Sequence, residues 1–262
     1  MSRYINKEQY FKELSTTSRS YYLDYIRKFK KIDKSSRILE IGCGEGGNLL
    51  PFAELGCYVC GVDISKSKIS NAKLFFGKKE VYGDFFCCDF LQIRPDSDAG
   101  SFDIILIHDV IEHIEPGFKE DFFSNVKMFM KKDGIVFWGF PAWQMPFGGH
   151  QQTCKSRICS KVPFVHLFPQ SIYRTYLRTF GEESSHVDEL MSIKRSKMTV
   201  ESFEKLCRKT GYNIVDRTLW FINPHYEVKF HLHPVKLCGF FCHIPYLRNY
   251  MSTACFYITA LN

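Results

Sequence analysis

Three sets of residues in this 262-residue chain have the types and spacing to do chemistry. The first is a glycine loop: the apolar run Arg37-Ile38-Leu39 reaches Glu40, after which Gly42, Gly44 and Gly46 alternate and Gly47 follows. A buried strand turning sharply toward a helix reads this way, and bare backbone there lets an anionic or zwitterionic ligand approach closely. The second set is acids closing successive apolar runs, namely Asp63, Asp89 and Asp109, the last within His108-Asp109-Val110-Ile111-Glu112-His113. The third is the imidazoles of His113 and His150, a residue type that is neutral near pH 7 and suited to taking a proton from a hydroxyl.

The glycines fit two patterns at once. Gly42-x-Gly44-x-x-Gly47 is a dinucleotide fingerprint, whereas Glu40-x-Gly42-x-Gly44-x-Gly46 is a different cofactor loop. Asp63 lies about twenty residues beyond the loop, where an acid accepts hydrogen bonds from ribose hydroxyls in nucleotide-binding βαβ units, and it serves both readings. A dehydrogenase using NAD(P) therefore stays open at this point, as does a non-catalytic binding protein on the same fold.

From Ile38 to Phe140 the chain resembles the class I S-adenosylmethionine-dependent methyltransferases of the small-molecule branch, on the glycine loop and the acids at successive strand ends. The resemblance implies that Glu40 holds the methionine ammonium of the cofactor. It implies also that Gly42, Cys43, Gly44 and Gly46 line the amino-acid moiety and ribose, that Asp63 takes the ribose hydroxyls, and that Asp89 takes the adenine amine between Ile64 and Phe90. His108 and Asp109 become neighbours of the methionine part and the transferring methyl. The product would be S-adenosylhomocysteine.

Elements must bring these residues together. Apolar runs at 38–41, 57–62, 85–88, 102–107 and 135–140 alternate with helical patterns at 48–55, 65–76 and 117–130, which predicts a parallel sheet covered on both faces. Ser65 is placed as a helix N-cap. A further helix at 198–210, stopped by Gly211, and strands at 212–219 and 253–261 complete the expectation: a Rossmann-like α/β fold with a seven-stranded, mostly parallel sheet whose last strand is antiparallel. Residues 1–35 form an N-terminal helical cover, interrupted at Ser15-Thr16-Thr17-Ser18; residues 36–140 form the cofactor-binding core, 141–197 an insertion, and 198–262 the completion of the sheet.

The insertion starts at the end of the fifth strand, where open α/β sheets bind ligands. Trp143, Phe147 and His150 around Gly148-Gly149 suit a hinged substrate lid whose rings exclude water and whose imidazole orients or deprotonates the acceptor. An aromatic loop packed for stability has the same composition. His113 likewise suits either a base or a helix cap.

Composition narrows the partners. The net charge of +7 is spread over the chain with only short clusters such as Arg27-Lys28 and Lys194-Arg195, so no nucleic-acid stripe is expected. A small molecule, or the head of a glycan or lipid precursor, suits an aromatic, basic pocket, and contact with an anionic membrane surface stays open. No apolar run approaches the roughly 20 residues of a membrane span. No secretory pattern opens the chain, so a cytoplasmic protein with reduced thiols at its eleven cysteines is expected. His231, His233, Cys238, Cys242 and His243, like Cys154 and Cys159, lack zinc-site spacing, and no metal is expected.

Overall fold

The computed structural model describes residues 6–95 and 100–261. Five parallel strands make one side of its sheet: β1 (Arg37–Ile41), β2 (Tyr58–Asp63), β3 (Asp84–Cys87), β4 (Phe102–His108) and β5 (Met130–Phe140). β6 (Tyr212–Ile222), β7 (Val235–Lys236) and β8 (Ala254–Leu261) extend the sheet in the order β3-β2-β1-β4-β5-β8-β6-β7. β8 runs antiparallel to both neighbours, β5 and β6. Among the described residues the sheet thus has eight strands where the sequence predicts seven. The extra one is β7, two exposed residues paired to the end of β6, too short to leave any periodic signal.

Alternation along the strands splits the core in two. Leu39, Ile41, Ile105, Ile107, Val136 and Trp138 face one way, with Phe122 and Phe123 of α5 (Lys119–Phe129) and Phe203 of α8 (Val200–Thr210). Ile38, Ile104, Leu106 and Phe137 face the other way, with Phe52 of α3 (Leu50–Glu54) and Phe76 of α4 (Lys66–Lys78). Each such fully buried side chain contributes about 1.5–3 kcal/mol of transfer free energy, which is why near-continuous apolar strands specify a sheet covered on both sides. The capping box of Thr199 with Ser202 and the left-handed Gly211 bound α8 where the sequence puts its ends. Ser65 occupies the N-cap of α4, but its side chain makes no cap bond; it meets the Ser67 hydroxyl instead.

The N-terminal cover is α1 (Lys7–Thr17), a π-helical turn Ser18–Tyr22 and α2 (Leu23–Arg27). The hydroxyl cluster does not interrupt it. Ser15, Thr16 and Thr17 bond back to carbonyls one turn earlier, and Ser18 donates to the carbonyl of Asn48, which accommodates these residues within helix and bends it into a π turn.

Residues 141–197 fold as a helical insertion. They include α6 (Gln170–Thr179) and α7 (Ser184–Ser196) and have their own apolar core of Trp143, Val165, Tyr173, Leu177, Leu190 and Met191. Among the described residues no helix is long and apolar enough to cross a membrane.

Candidate cofactor and acceptor site

The strand order reverses between β1 and β4, and the C-terminal ends of the central strands surround a cavity of about 610 Å³. Gly42, Gly44 and Gly46 all have left-handed backbones, with φ of 73°, 54° and 81°, a conformation that costs glycine nothing and other residues about 1–2 kcal/mol. A side chain at Gly42 would collide with Val110, while nothing lies within 4 Å of where a Cβ of Gly44 would stand. Gly47 differs: a Cβ there would come 2.7 Å from Leu14 Cβ and 2.8 Å from the Phe11 carbonyl. Its bareness serves the packing of α1 onto the loop, so the third glycine of the dinucleotide pattern has another use.

Asp63 ties the loop to β2. Its Oδ2 accepts from the Gly44 N–H at 2.9 Å and its Oδ1 from the Ser65 N–H at 2.8 Å, which leaves lone pairs for a ligand hydroxyl. Asp63, Ile64, Asp89 and Phe90 all line the cavity. The Asp89 oxygens are shared with Leu91 N–H and the Gln92 side chain.

Glu40 lies on the other face of β1, beneath the N-terminal cover. Asn48 donates to its Oε1 at 2.7 Å, but Oε2 is buried without a hydrogen-bond partner. Burial, opposed by Asn48 and reinforced by Asp63, pushes its carboxyl up to about 8. A buried acid with one oxygen unpaired is suited to a cationic or N–H donor, and an ammonium fits this donor set. Cys43 is turned away: its thiol is buried against the Cα of Gly61, so only its backbone faces the loop.

His108 and Asp109 diverge. The His108 ring packs between Tyr22, Phe137 and Phe256, with Nε2 2.8 Å from the Tyr22 hydroxyl supplied by the π turn. It does not line the cavity, because the last strand residue points to the cover face. Asp109, left-handed at φ 54°, turns into the cavity, and its carboxylate stays 3.3 Å from His108 Nδ1.

The aromatic loop is packed into the insertion and does not form a hinged lid. Trp143 is buried in the insertion's core, edge-on to His166, and its backbone N–H donates to the Met198 carbonyl at 2.7 Å. Phe147 is half-buried and is not among the residues lining the cavity. Gly148 and Gly149 supply no hinge: any side chain there would strike the Trp143 carbonyl or the His166 ring. Close approach of backbone to core, not freedom, requires those glycines. The cover over the cavity is α7, through Glu189 and Ser192. Glu115 anchors it, accepting from Ser192 Oγ at 2.6 Å and from Arg195 Nη2 at 2.5 Å, and Lys119 Nζ bonds the Ser196 carbonyl at its end.

Of that loop only His150 reaches the chemistry. Its ring stands edge-on to His113 at 5.0 Å, and its Nε2 lies 3.8 Å from Glu112 Oε1. His113 lines the cavity. Burial lowers both imidazoles, His150 to about 4, so both are neutral near pH 7. Lys68, Glu189 and Ser192 also line the cavity, and neither they nor the roles of Glu112 and Tyr22 are foreseen in the sequence. Glu112 sat in a quoted motif and was legible; the positions on α7 were not, because nothing in their spacing says where the insertion folds back.

Comparison with known proteins matches the core by sequence and most of the chain by fold. Residues 39–138 match the family model described as a methyltransferase domain. The ubiquinone biosynthesis O-methyltransferase of Rhodopseudomonas palustris (strain BisB5) is 35% identical over 116 residues, 42% of this chain and 44% of that protein. The chain thus matches less than half the length of this curated relative. The magnesium protoporphyrin IX methyltransferase of Synechocystis PCC 6803, solved with S-adenosylhomocysteine, superposes over 95% of this chain and 84% of its own with a TM-score of 0.55 at 14% identity. Haemonchus contortus phosphoethanolamine N-methyltransferase 2, solved with S-adenosyl-L-methionine, covers 91% of this chain and 51% of its own at TM-score 0.55 and 16% identity. At such identities the two structures share the fold with this chain.

Proposed function

We propose that this chain, whose residues 39–138 match a methyltransferase domain, is a class I S-adenosylmethionine-dependent methyltransferase that methylates a small molecule, most directly at a hydroxyl oxygen. The observation that carries the reading is the pairing of a left-handed glycine loop, locked to Asp63, with a buried Glu40 oxygen that lacks a partner. Together they suit a ligand with a ribose at one end and an ammonium at the other. Glu40 would hold the ammonium, Asp63 the ribose, and Asp89, Ile64 and Phe90 the adenine.

The sulfonium of such a cofactor supplies an electrophilic methyl group. The chain's own residues then have two tasks, holding an acceptor in line and keeping water out, and positioning of this kind is worth several kcal/mol. α7 closes the cavity above His113, with Glu189 and Ser192 facing inward. The neutral imidazoles of His113 and His150 lie at that end, where the proton of a hydroxyl acceptor must leave. The acceptor class follows the O-methyltransferase relative, and a glycan or lipid head is the finer alternative within it.

Calorimetry with S-adenosylhomocysteine tests the reading directly. One site per chain is expected, lost in Asp63→Ala, with no heat from NADH. Binding of NADH in place of S-adenosylhomocysteine would make the chain a dehydrogenase.

A further inference from the structure

We propose that Glu112, His113 and His150 form a binding site for a divalent transition-metal ion, zinc or manganese in character, at the acceptor end of the cavity. One ligand atom from each side chain lies within 4.8 Å of the other two. An ion bonded at about 2.0–2.2 Å brings ligand atoms to roughly 3.0–3.5 Å from one another, a contraction that side-chain rotation supplies. Two imidazoles with one carboxylate are a donor set for zinc, manganese or iron rather than for calcium or magnesium.

The independent observation is Glu112. It is 2% exposed, yet neither of its carboxyl oxygens has a hydrogen-bond partner. A buried, unpaired carboxyl costs stability and is retained where something else satisfies it. The Lys119 ammonium acts on Glu112 through its charge, but its hydrogen bonds go to the Ser196 carbonyl and hydroxyl. His150 is held toward Glu112 by a left-handed backbone at φ 58°, strain that an imidazole-bearing residue bears only where the surroundings fix it.

The second cluster of this type among the described residues, Cys154 with Cys159 and Glu182, is different. There the carboxylate oxygens accept from the N–H groups of Lys155 and Ser156, at 3.2 and 2.8 Å. That cluster is satisfied without an ion. At Glu112 the need remains, and because His113 and the neighbouring Asp109 line the cavity, the positions of the ion not taken by protein face the acceptor. Three protein ligands with open positions are the pattern of catalytic sites, whereas four close a structural one. The role at the acceptor rests on the methyl-transfer reading; the binding does not. His113 and His150 would then be ligands, and the acidity of a bound hydroxyl would come from the ion.

The test is titration of the chelator-treated full chain with Zn²⁺, Mn²⁺ and Co²⁺ by calorimetry, with the visible spectrum of the Co²⁺ form. One ion per chain and an imidazole-type Co²⁺ spectrum are expected. Affinity should fall at least about tenfold in Glu112→Gln and in His150→Gln, and stay unchanged in Cys154→Ser. Retained S-adenosylhomocysteine binding identifies each variant as folded. No binding by the parent chain, or affinity indifferent to both Glu112 and His150, overturns the proposal. Metal binding without S-adenosylhomocysteine binding would instead overturn the methyl-transfer reading and leave the site standing.

Discussion

The backbone N–H of Gly44 donates to Oδ2 of Asp63 across 2.9 Å, so the glycine loop after β1 and the acid at the end of β2 are one unit. Neither can move without the other, and a ligand held by Asp63 is at once placed against bare backbone.

Asp63→Asn tests that unit. The amide keeps one oxygen where the carboxylate uses two, for Gly44 and for Ser65, so one donor loses its acceptor. A stability loss of about 1.5–3 kcal/mol is expected, as for hydrogen bonds to charged groups. Denaturant unfolding measures it, and S-adenosylhomocysteine should raise the unfolding temperature of the parent far more than that of the variant. An unchanged variant would show that the loop is held by packing alone.

Glu40 predicts a pH dependence of known sign. Burial raises its carboxyl from 4.5 to about 8 in the folded chain. Between those values the folded state holds a proton that the unfolded state has released, so the free protein loses stability as pH rises from 4.5 to about 8. Glu40→Gln removes the loss: the variant should match the parent near pH 5 and exceed it near pH 8. The same change should weaken S-adenosylhomocysteine about tenfold at pH 8, where the parent offers a carboxylate to the ammonium. Chemical denaturation at both pH values, with calorimetry at the upper one, checks both signs.

The clamp on α7 is the third. Glu115 joins Ser192 and Arg195, and it is partly exposed, so its removal should cost only about 1 kcal/mol locally. In Glu115→Ala, amide exchange across residues 184–196 should quicken roughly fivefold while the strands keep their protection. Uniform change, or none, would deny α7 its place as a separately opening cover.

Much of the core was legible because local patterns there have few solutions. The alternation of apolar runs with helical spacing admits a parallel sheet and little else, and a carboxylate followed by glycines at every second position demands a left-handed turn. The failures share a different cause. Trp143, Phe147 and Gly148-Gly149 have the composition of a mobile lid and of a packed corner alike, and only the burial of Trp143 against His166 distinguishes them. His108 is adjacent to Asp109 in sequence, yet strand alternation sends it to Tyr22 on the far face.

The amino-acid sequence by itself determined the order of elements, the left-handed glycine loop and the acids at the strand ends, since these follow from periodicity and from backbone sterics over a few residues. Tertiary structure alone decided what covers the cavity and which polar groups are left unsatisfied. Glu189 and Ser192 reach the pocket, and His150 reaches Glu112, only because residues 141–197 fold into a separate core and pack back on the sheet. Contacts of that kind depend on where a long connection returns in space, and no local spacing encodes it.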